Sequence, residues 1–275
     1  MKKHIGGQAV IEGVMIKSDE KLAVAVRLPN KKIKIKSENL KKQNKFFRLP
    51  IVRGFVQLVL MLIIGIKALN WSADQQLKKH EKIKPLELTL TLIISFGAAI
   101  LFFIIAPFFL TKLIVEKGFL FNLIDGIIRI IIFIIYLVII ARISDVKTLY
   151  KYHGAEHKAV NCYEAKKKLT IKNIKKFSTL HPRCGTAFIL IVLILSILIF
   201  TLVRGAWQIR LISRIILIPV IAGISYEILR LTAKYPNNII TKTISAPGLA
   251  LQKLTTAEPT PKQIEVAVSA LKKIV

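Results

Sequence analysis

The sequence has few cysteines and few acidic residues. Two cysteines among 275 residues cannot form a disulfide framework, so the chain is not a small disulfide-stabilised scaffold, and free thiols favour a reducing compartment. Only 15 residues are Asp or Glu, against 43 Lys or Arg, which gives a formal net charge of +28. Such an excess of positive charge is typical of proteins that face anionic lipid or nucleic acid.

Apolar residues make up 53% of the chain and are gathered into long blocks, which excludes a disordered tail and a collagen-like chain. Four blocks are close to the roughly 20 residues that a helix needs to cross a bilayer. They lie at residues 86–115, 119–140, 187–203 and 209–229. Because the connection within each pair is short, the sequence predicts a polytopic α-helical membrane protein with four transmembrane helices in two hairpins.

A fifth apolar block, at residues 51–69, is interrupted by charged residues and glycines, so it can either span the bilayer or lie in its interface. Three segments are rich in Lys and Arg: 1–50, 142–185 and 230–275. With four spans these segments share one side of the membrane, as the positive-inside rule expects of the cytoplasm. We therefore expect 51–69 to form an interfacial or re-entrant helix and both termini to be cytoplasmic.

The basic segments together predict a small α+β cytoplasmic domain. Residues 22–28 and 31–36 are interpreted as a β-hairpin around Pro29-Asn30, because the second arm alternates apolar residues with lysine. Residues 6–15, which include three glycines, are interpreted as a strand pair. Glycine at these positions would permit either a close backbone approach or a positive φ.

The C-terminal segment predicts a break followed by a helix. Pro247 and Gly248 stand together and are interpreted as a helix breaker. Thr260 at the N-cap, Pro261 at the first helical position and Gln263 at the third favour a helix start there. The apolar residues that follow recur at helical spacing and predict an amphipathic closing helix.

The residues that could carry chemistry are concentrated in the central basic segment. If this segment is helical, His153 and His157 lie one turn apart, and with Glu156 they follow the order His-x-x-Glu-His, in which the Glu is the general base beside a histidine-bound zinc. His181 and Cys184 are candidate third and fourth ligands. Imidazole and thiolate together favour zinc among the common divalent metals.

Several alternatives stay open for this cluster. Glu164 and Cys162 are further candidate ligands. Three protein ligands would leave a position for water, as in catalytic zinc sites, whereas four would close the site, as in structural ones. In the alternative without a metal, the His and Glu side chains hydrogen-bond a compact loop and the cysteines are buried as small apolar residues.

One cluster of ionisable residues falls inside the apolar blocks. Asp125 and Arg129 are four residues apart on one predicted helix, and Arg214 enters from the same side at a similar depth. An intramembrane charge is a functional candidate. The alternative is an internal ion pair that fixes helix packing near the outer interface.

Four blocks in the same order resemble the YqhQ-like family. They cover residues 6–15, 152–158, 181–186 and 247–259, so that the resemblance extends over essentially the whole chain. This is a bacterial membrane family of unknown function, whose members are often labelled metal-dependent enzymes. The resemblance implies a multi-pass protein of the bacterial plasma membrane. The label rests on the same His and Cys residues and adds no independent support for an enzyme.

Two hypotheses of different kinds follow. In the first, a divalent metal at the cytoplasmic face serves an enzyme that acts on a lipid, a lipid-linked phosphate or a membrane peptide, with Glu156 as the base. In the second, the protein is a basic platform that docks on anionic lipid or on ribosomal RNA near a translocation channel, and any metal is structural. Sparse aromatic residues argue against sequence-specific nucleic-acid binding. A transporter is less favoured, and homo-oligomers stay open.

Overall fold

The computed structural model describes residues 5–40, 44–77 and 85–275. The strands are β1 (Gly6–Val10), β2 (Gly13–Lys17), β3 (Lys21–Arg27) and β4 (Ile33–Asn39). A 3-10 turn at Lys45–Arg48 precedes the helices. The helices are α1 (Val52–Asp74), α2 (Pro85–Ile100), α3 (Ala106–Lys112), α4 (Phe119–Ile140), α5 (Ser144–Glu164), α6 (Ile171–Ile174), α7 (Gly185–Thr201), α8 (Trp207–Ile216), α9 (Ile218–Lys234), α10 (Ile239–Thr255) and α11 (Pro261–Leu271). A π-helical turn at Leu101–Ile105 joins α2 to α3.

The four strands form one antiparallel sheet in the order β1-β2-β3-β4. The predicted hairpin around Pro29-Asn30 is confirmed as β3 and β4, and the glycine-containing pair is confirmed as β1 and β2. Apolar side chains on one face of the sheet pack against α5 and α11, and those on the other face pack against α1. Because both faces are covered, β2 and β3 are apolar throughout rather than alternating.

The glycines of the first hairpin permit close approach. A Cβ on Gly7 would lie 2.6 Å from the carbonyl oxygen of Met15 on the neighbouring strand, and a Cβ on Gly13 would overlap the carbonyl oxygen of Ala25. The positive φ of this turn falls instead on Glu12, at 51°. Of the two roles expected for these glycines, close approach is the one observed at Gly7 and Gly13.

The length and apolar composition of the helices indicate a membrane protein. Within the described residues, three helices are long and apolar enough to cross a bilayer: Val52–Asp74, Pro85–Lys112 and Phe119–Ile140. Helices α8 and α9 would together form a fourth span, bent by 49°. Helix α7 was expected to span the bilayer, but its 17 residues fall short of the length usually required. Helix α1, which was expected to be interfacial or re-entrant, does reach that length. The arrangement in two hairpins stays a prediction.

The expected break at Pro247 is wrong, because α10 continues through it. Gly248 lets α10 press against α7 there, since a Cβ at this position would lie 2.7 Å from the Cβ of Ala187. Leu251 of α10 joins a buried cluster with Leu137 and Leu190. This packing offsets the backbone hydrogen bond that proline removes. The predicted start of the closing helix is confirmed, with a complete capping box between Thr260 and Gln263.

Candidate metal centre

Helix α5 carries the central part of the candidate site. Its regular helical spacing places His153 and His157 one above the other, with ring centroids 4.4 Å apart. Gly154 lies between them in sequence, and a Cβ there would overlap the carbonyl oxygen of Ala257. The amide of Ala257 in turn donates to the carbonyl of Tyr150 at 3.0 Å. The chain that leaves α10 is therefore held directly against this turn of α5.

Three ligand atoms converge at this point. One atom each from His153, His157 and Cys184 lie within 4.8 Å of one another. The Nε2 of His153 is 3.3 Å from the Sγ of Cys184. Cys184 is the N-cap of α7, and its Sγ accepts a hydrogen bond from the amide of Thr186 at 3.4 Å. The start of α7 thus holds this sulfur beside the two histidine rings.

Backbone carbonyls fix the orientation of both histidine rings. Nδ1 of His153 lies 2.8 Å from the carbonyl oxygen of Thr255, and Nδ1 of His157 lies 2.5 Å from that of Thr179. Because a carbonyl oxygen only accepts, Nδ1 of each ring carries a proton, and in the neutral form of such a ring the lone pair is on Nε2. A hydrogen bond of this kind on the far nitrogen is the usual support of a metal-binding histidine. The residues present therefore fit a metal ion.

The pKa of His157 is lowered, chiefly because burial disfavours the charged imidazolium. Burial likewise lowers the pKa of His181. Both rings are therefore neutral at physiological pH. Neutral imidazole is the form that binds a metal.

His181 lies beside the cluster but outside the set of three. Its ring centroid is 5.7 Å from that of His157. Its Nδ1 accepts from the amide of Arg183 at 3.3 Å, so the neutral ring carries its proton on Nε2, which faces Glu164 at 3.5 Å. Gln252 holds the backbone of His181 by two hydrogen bonds of 2.9 Å each. Nε2 is buried and has no hydrogen-bond partner among the described residues, and in this tautomer it carries a proton and offers no lone pair to a metal.

Glu156 is buried next to the three ligand atoms. Its Oε2 lies 3.8 Å from the Nε2 of His157. Burial raises the pKa of this carboxyl group. A raised pKa suits a carboxyl group that accepts and releases a proton. Strand β1 covers it, because a Cβ on Gly7 would lie 2.8 Å from the Oε1 of Glu156.

The two other candidate ligands lie elsewhere. Cys162 packs in the core between α5 and the sheet, its Sγ is 3.7 Å from the carbonyl oxygen of Lys168, and burial raises the pKa of its thiol. Glu164 forms a close ion pair with Arg183. Neither belongs to the set of three converging atoms.

The intramembrane charges form a separate cluster. Oδ2 of Asp125 accepts from Arg129 at 2.9 Å and from Arg214 at 3.1 Å. The interaction expected from the sequence is therefore present. Sequence reasoning missed Arg210, whose Nη2 donates to the carbonyl of Glu116 at 2.8 Å. Its position four residues before Arg214 on α8 was the available signal.

Apolar helices that meet a small β layer, with a His, His and Cys cluster where they join, define a membrane protein with a candidate metal centre. The chain belongs to the family described as "Protein of unknown function (DUF1385)", whose model matches residues 49–275. It is 33% identical over 301 residues to "Uncharacterized protein YqhQ" of Bacillus subtilis (strain 168), an alignment that covers 100% of this chain and 94% of that protein. The expected YqhQ-like family is confirmed. No solved structure matches the chain.

Proposed function

We propose that the protein is a membrane metal enzyme with a three-ligand zinc site formed by His153, His157 and Cys184. The observation that carries this proposal is the convergence of one atom from each residue within 4.8 Å, while backbone carbonyls hold Nδ1 of both histidines. Three protein ligands are typical of catalytic zinc sites, which keep a position for water. A structural site would use a fourth ligand, and His181 lies outside the set of three, with Nδ1 accepting from the amide of Arg183.

Glu156 is the proposed general base. A bound zinc ion would supply Lewis-acid activation of a water molecule. Glu156 lies one helical turn from His153 and its carboxylate is 3.8 Å from Nε2 of His157, so a water at the open position would be within its reach. Strand β1 lies against the carboxyl group at Gly7, where there is no room for a Cβ. The reaction class that these roles support is metal-assisted hydrolysis.

The position of the site favours a membrane-associated substrate. Cys184 caps the apolar helix α7, and the carbonyl that orients His153 belongs to the last turn of α10. Gly185 is exposed next to Cys184, with open space where a Cβ would be, so the site opens close to the end of the apolar helices. A lipid, a lipid-linked phosphate or a membrane peptide could enter there from the interface.

We also propose that α1 starts and ends on the cytoplasmic side. The sheet that precedes α1 packs against α5, so both lie on one side of the membrane. If α2 and α3 together cross the bilayer once and α4 crosses it back, the chain enters α2 and leaves α4 on the same side. In this topology α1 starts and ends on that side. Its second half, from Met61 to Trp71, covers the sheet, and Ser72 accepts from the amide of Ile11 at 3.1 Å. These contacts support an interfacial helix.

The decisive experiment measures metal content by elemental mass spectrometry on the purified full chain. We expect about one zinc or other transition metal per wild-type chain. Cys184→Ser should lose the metal, and Cys162→Ser, the matched control, should keep it because Cys162 lies in the core. No metal in the wild-type protein, or equal loss in both variants, would contradict the proposed site. Glu156→Gln should retain the metal and lose hydrolysis of a membrane substrate.

A basic platform is the second candidate function. Six lysines are exposed within the short segment 166–176, which follows α5 and surrounds α6. Their charge is more than orientation in the membrane needs, since a few Lys or Arg near the spans suffice. This segment could dock on anionic lipid or on ribosomal RNA. Salt-sensitive co-sedimentation with ribosomes from solubilised membranes would favour RNA, and salt-sensitive binding to anionic vesicles alone would favour lipid.

A further inference from the structure

Three buried arginines lie together at the end of the apolar helices that is remote from the His and Cys cluster. Arg129 of α4 is 5% exposed, Arg210 of α8 is 9% exposed and Arg214 of α8 is 1% exposed. Ser196 of α7 contacts Arg129 at 3.5 Å and lies twelve residues beyond Cys184, which is about 18 Å along a helix. The arginines therefore form a second site, separate from the candidate metal centre.

Aromatic rings wall in the three guanidinium groups. The Cζ of Arg210 lies 4.5 Å from the ring centroid of Phe121, and that of Arg214 lies 4.8 Å from Phe108. Arg129 and Arg214 share the ring of Phe200, at 5.4 and 4.9 Å. These contacts favour cations but exclude water, so the charges cannot rely on hydration.

The cluster carries more positive charge than its carboxylate neutralises. Within the described part of the chain, Asp125 is the one carboxylate that pairs with these arginines, and a single oxygen, Oδ2, serves both Arg129 and Arg214. Arginine stays protonated in proteins, so three positive charges face one negative charge. A buried charge without a counter-charge is strongly unfavourable, which calls for a further anion.

Unused hydrogen-bonding groups remain at this site. The Nε and Nη1 of Arg210 and the Nε of Arg129 are buried and have no hydrogen-bond partner among the described residues. Oδ1 of Asp125 is likewise without one. The guanidinium donors suit an anion with several oxygens, and Asp125 could accept from a protonated oxygen of the same anion or from water.

The surface above the cluster is also basic. Lys112 at the end of α3 is exposed, as are Lys117 before α4 and Arg204 before α8. Glu116 is the acidic residue among them. In the proposed topology this end faces outward, where the positive-inside rule expects few such residues. Their presence provides a path that attracts an anion toward Arg210, the most exposed arginine of the three.

We propose that a phosphate group binds at this end of the helices to the free donors of Arg129 and Arg210. Arg214 adds positive charge, and its own donors are used by Asp125, Asn122 and the carbonyl of Arg210. Phosphate matches the number of free donors and the planar geometry of the arginine forks. The group can belong to the headgroup of an anionic phospholipid or be free inorganic phosphate, and the two sources share this chemistry. The site takes its ligand independently of any metal at Cys184.

The test compares two probes on the purified full chain. Inorganic phosphate is titrated into the protein in neutral detergent, and the protein is separately placed in phosphatidylcholine nanodiscs with and without phosphatidic acid. The readouts are the dissociation constant and the midpoint of thermal unfolding. Arg210→Gln removes the arginine that pairs with no carboxylate, and Arg204→Gln is the matched control, with the same loss of charge at an exposed position.

The wild-type protein should bind one of the probes saturably and unfold at a higher temperature in its presence. Arg210→Gln should bind about tenfold or more weakly, because charge-assisted bonds are lost, whereas Arg204→Gln should bind nearly as wild type. Without ligand, Arg210→Gln should unfold at the same temperature or higher, because an uncompensated charge is gone. Arg210→Lys keeps the charge without the fork and should bind with intermediate affinity, and it replaces Arg210→Gln if that variant does not fold.

Each outcome decides the proposal. Stabilisation by inorganic phosphate supports the site with free phosphate as a ligand, and stabilisation by phosphatidic acid alone supports it with a lipid headgroup. Failure of both probes to stabilise the wild-type protein overturns the proposal. Equal binding by wild type and Arg210→Gln, or an equal loss in Arg204→Gln, also overturns it, because the anion would then be attracted by surface charge.

Discussion

Cys184 Sγ lies 3.3 Å from His153 Nε2, although 31 residues separate them in sequence. The contact joins the first turn of α7 to the middle of α5, so the candidate metal centre exists only when these two helices are docked. A metal bound there would hold the native state and not the unfolded chain.

Chelation should therefore destabilise the protein. Removing the metal from wild-type protein is expected to lower the free energy of unfolding by roughly 3 kcal/mol, the stabilisation given by a ligand at about 100 times its dissociation constant. Thermal unfolding in neutral detergent, with and without a chelator, measures the change. Cys184→Ser should unfold at the same temperature with and without the chelator. A chelator effect of equal size in that variant would show that the metal acts elsewhere.

His157, a member of the cluster, and His181, which lies beside it, should behave differently when they are replaced. His157→Ala should lose the metal, because its Nε2 is one of the converging ligand atoms. His181→Ala should retain it, because Nδ1 of His181 accepts from the amide of Arg183 and its proton is on Nε2. Elemental analysis of both purified variants tests this. Loss of metal in His181→Ala would indicate a closed, four-ligand structural site instead of an open one.

Part of this site was predictable from local spacing alone. His153, Glu156 and His157 fall within one helical turn or so, and the helix brings them together whatever the rest of the fold does. Cys184 was a candidate only because cysteine is scarce, since its approach depends on how α7 docks. The contacts of the Thr179 and Thr255 carbonyls with the histidine rings could not be predicted from the sequence. Every residue has a carbonyl, and only the tertiary structure determines which one points at a histidine.

Pro247 was misread for a related reason. Proline weakens a helix locally, and this local effect can be predicted from the sequence alone. The packing of Gly248 on Ala187 is a contact between helices distant in sequence, so the gain that keeps α10 intact could not be seen. The sheet was predictable in its hairpins, whereas the cover of α1 over one face was not.

Gly7 and Gly6 form a matched pair for testing how the sheet supports the site. Gly7→Ala should lower the free energy of unfolding by about 1–3 kcal/mol, because its Cβ would meet Glu156 and the carbonyl of Met15 in a packed region. Gly6→Ala places its Cβ in open space and should change stability little. Chemical unfolding of the two variants in detergent gives the difference. Equal effects would mean that β1 does not press on Glu156.

The proposed topology predicts which positions a membrane-impermeant maleimide can reach in intact cells. Lys36→Cys and Lys168→Cys are both exposed on the protein and should both stay unlabelled, because both are cytoplasmic. Gln208→Cys, an exposed position in the first turn of α8, should be labelled. The native cysteines are buried, so wild-type protein is the background control. Opposite labelling of positions 36 and 168 would mean that α1 crosses the membrane.

The lysines that follow α5 should govern attraction to anionic membranes. Replacing Lys166, Lys167 and Lys168 by Gln is expected to weaken binding of the detergent-solubilised protein to phosphatidylserine vesicles by about 1 kcal/mol per lysine near the surface. The difference from wild type should shrink as salt rises, because exposed charges are screened beyond about 10 Å at 0.1 M ionic strength. Vesicle co-sedimentation across a salt series measures both effects. The metal content of this variant should equal that of wild type, since none of the three lysines contributes to the cluster. Unchanged vesicle binding would remove the electrostatic argument for a basic platform and leave the metal centre as the functional site.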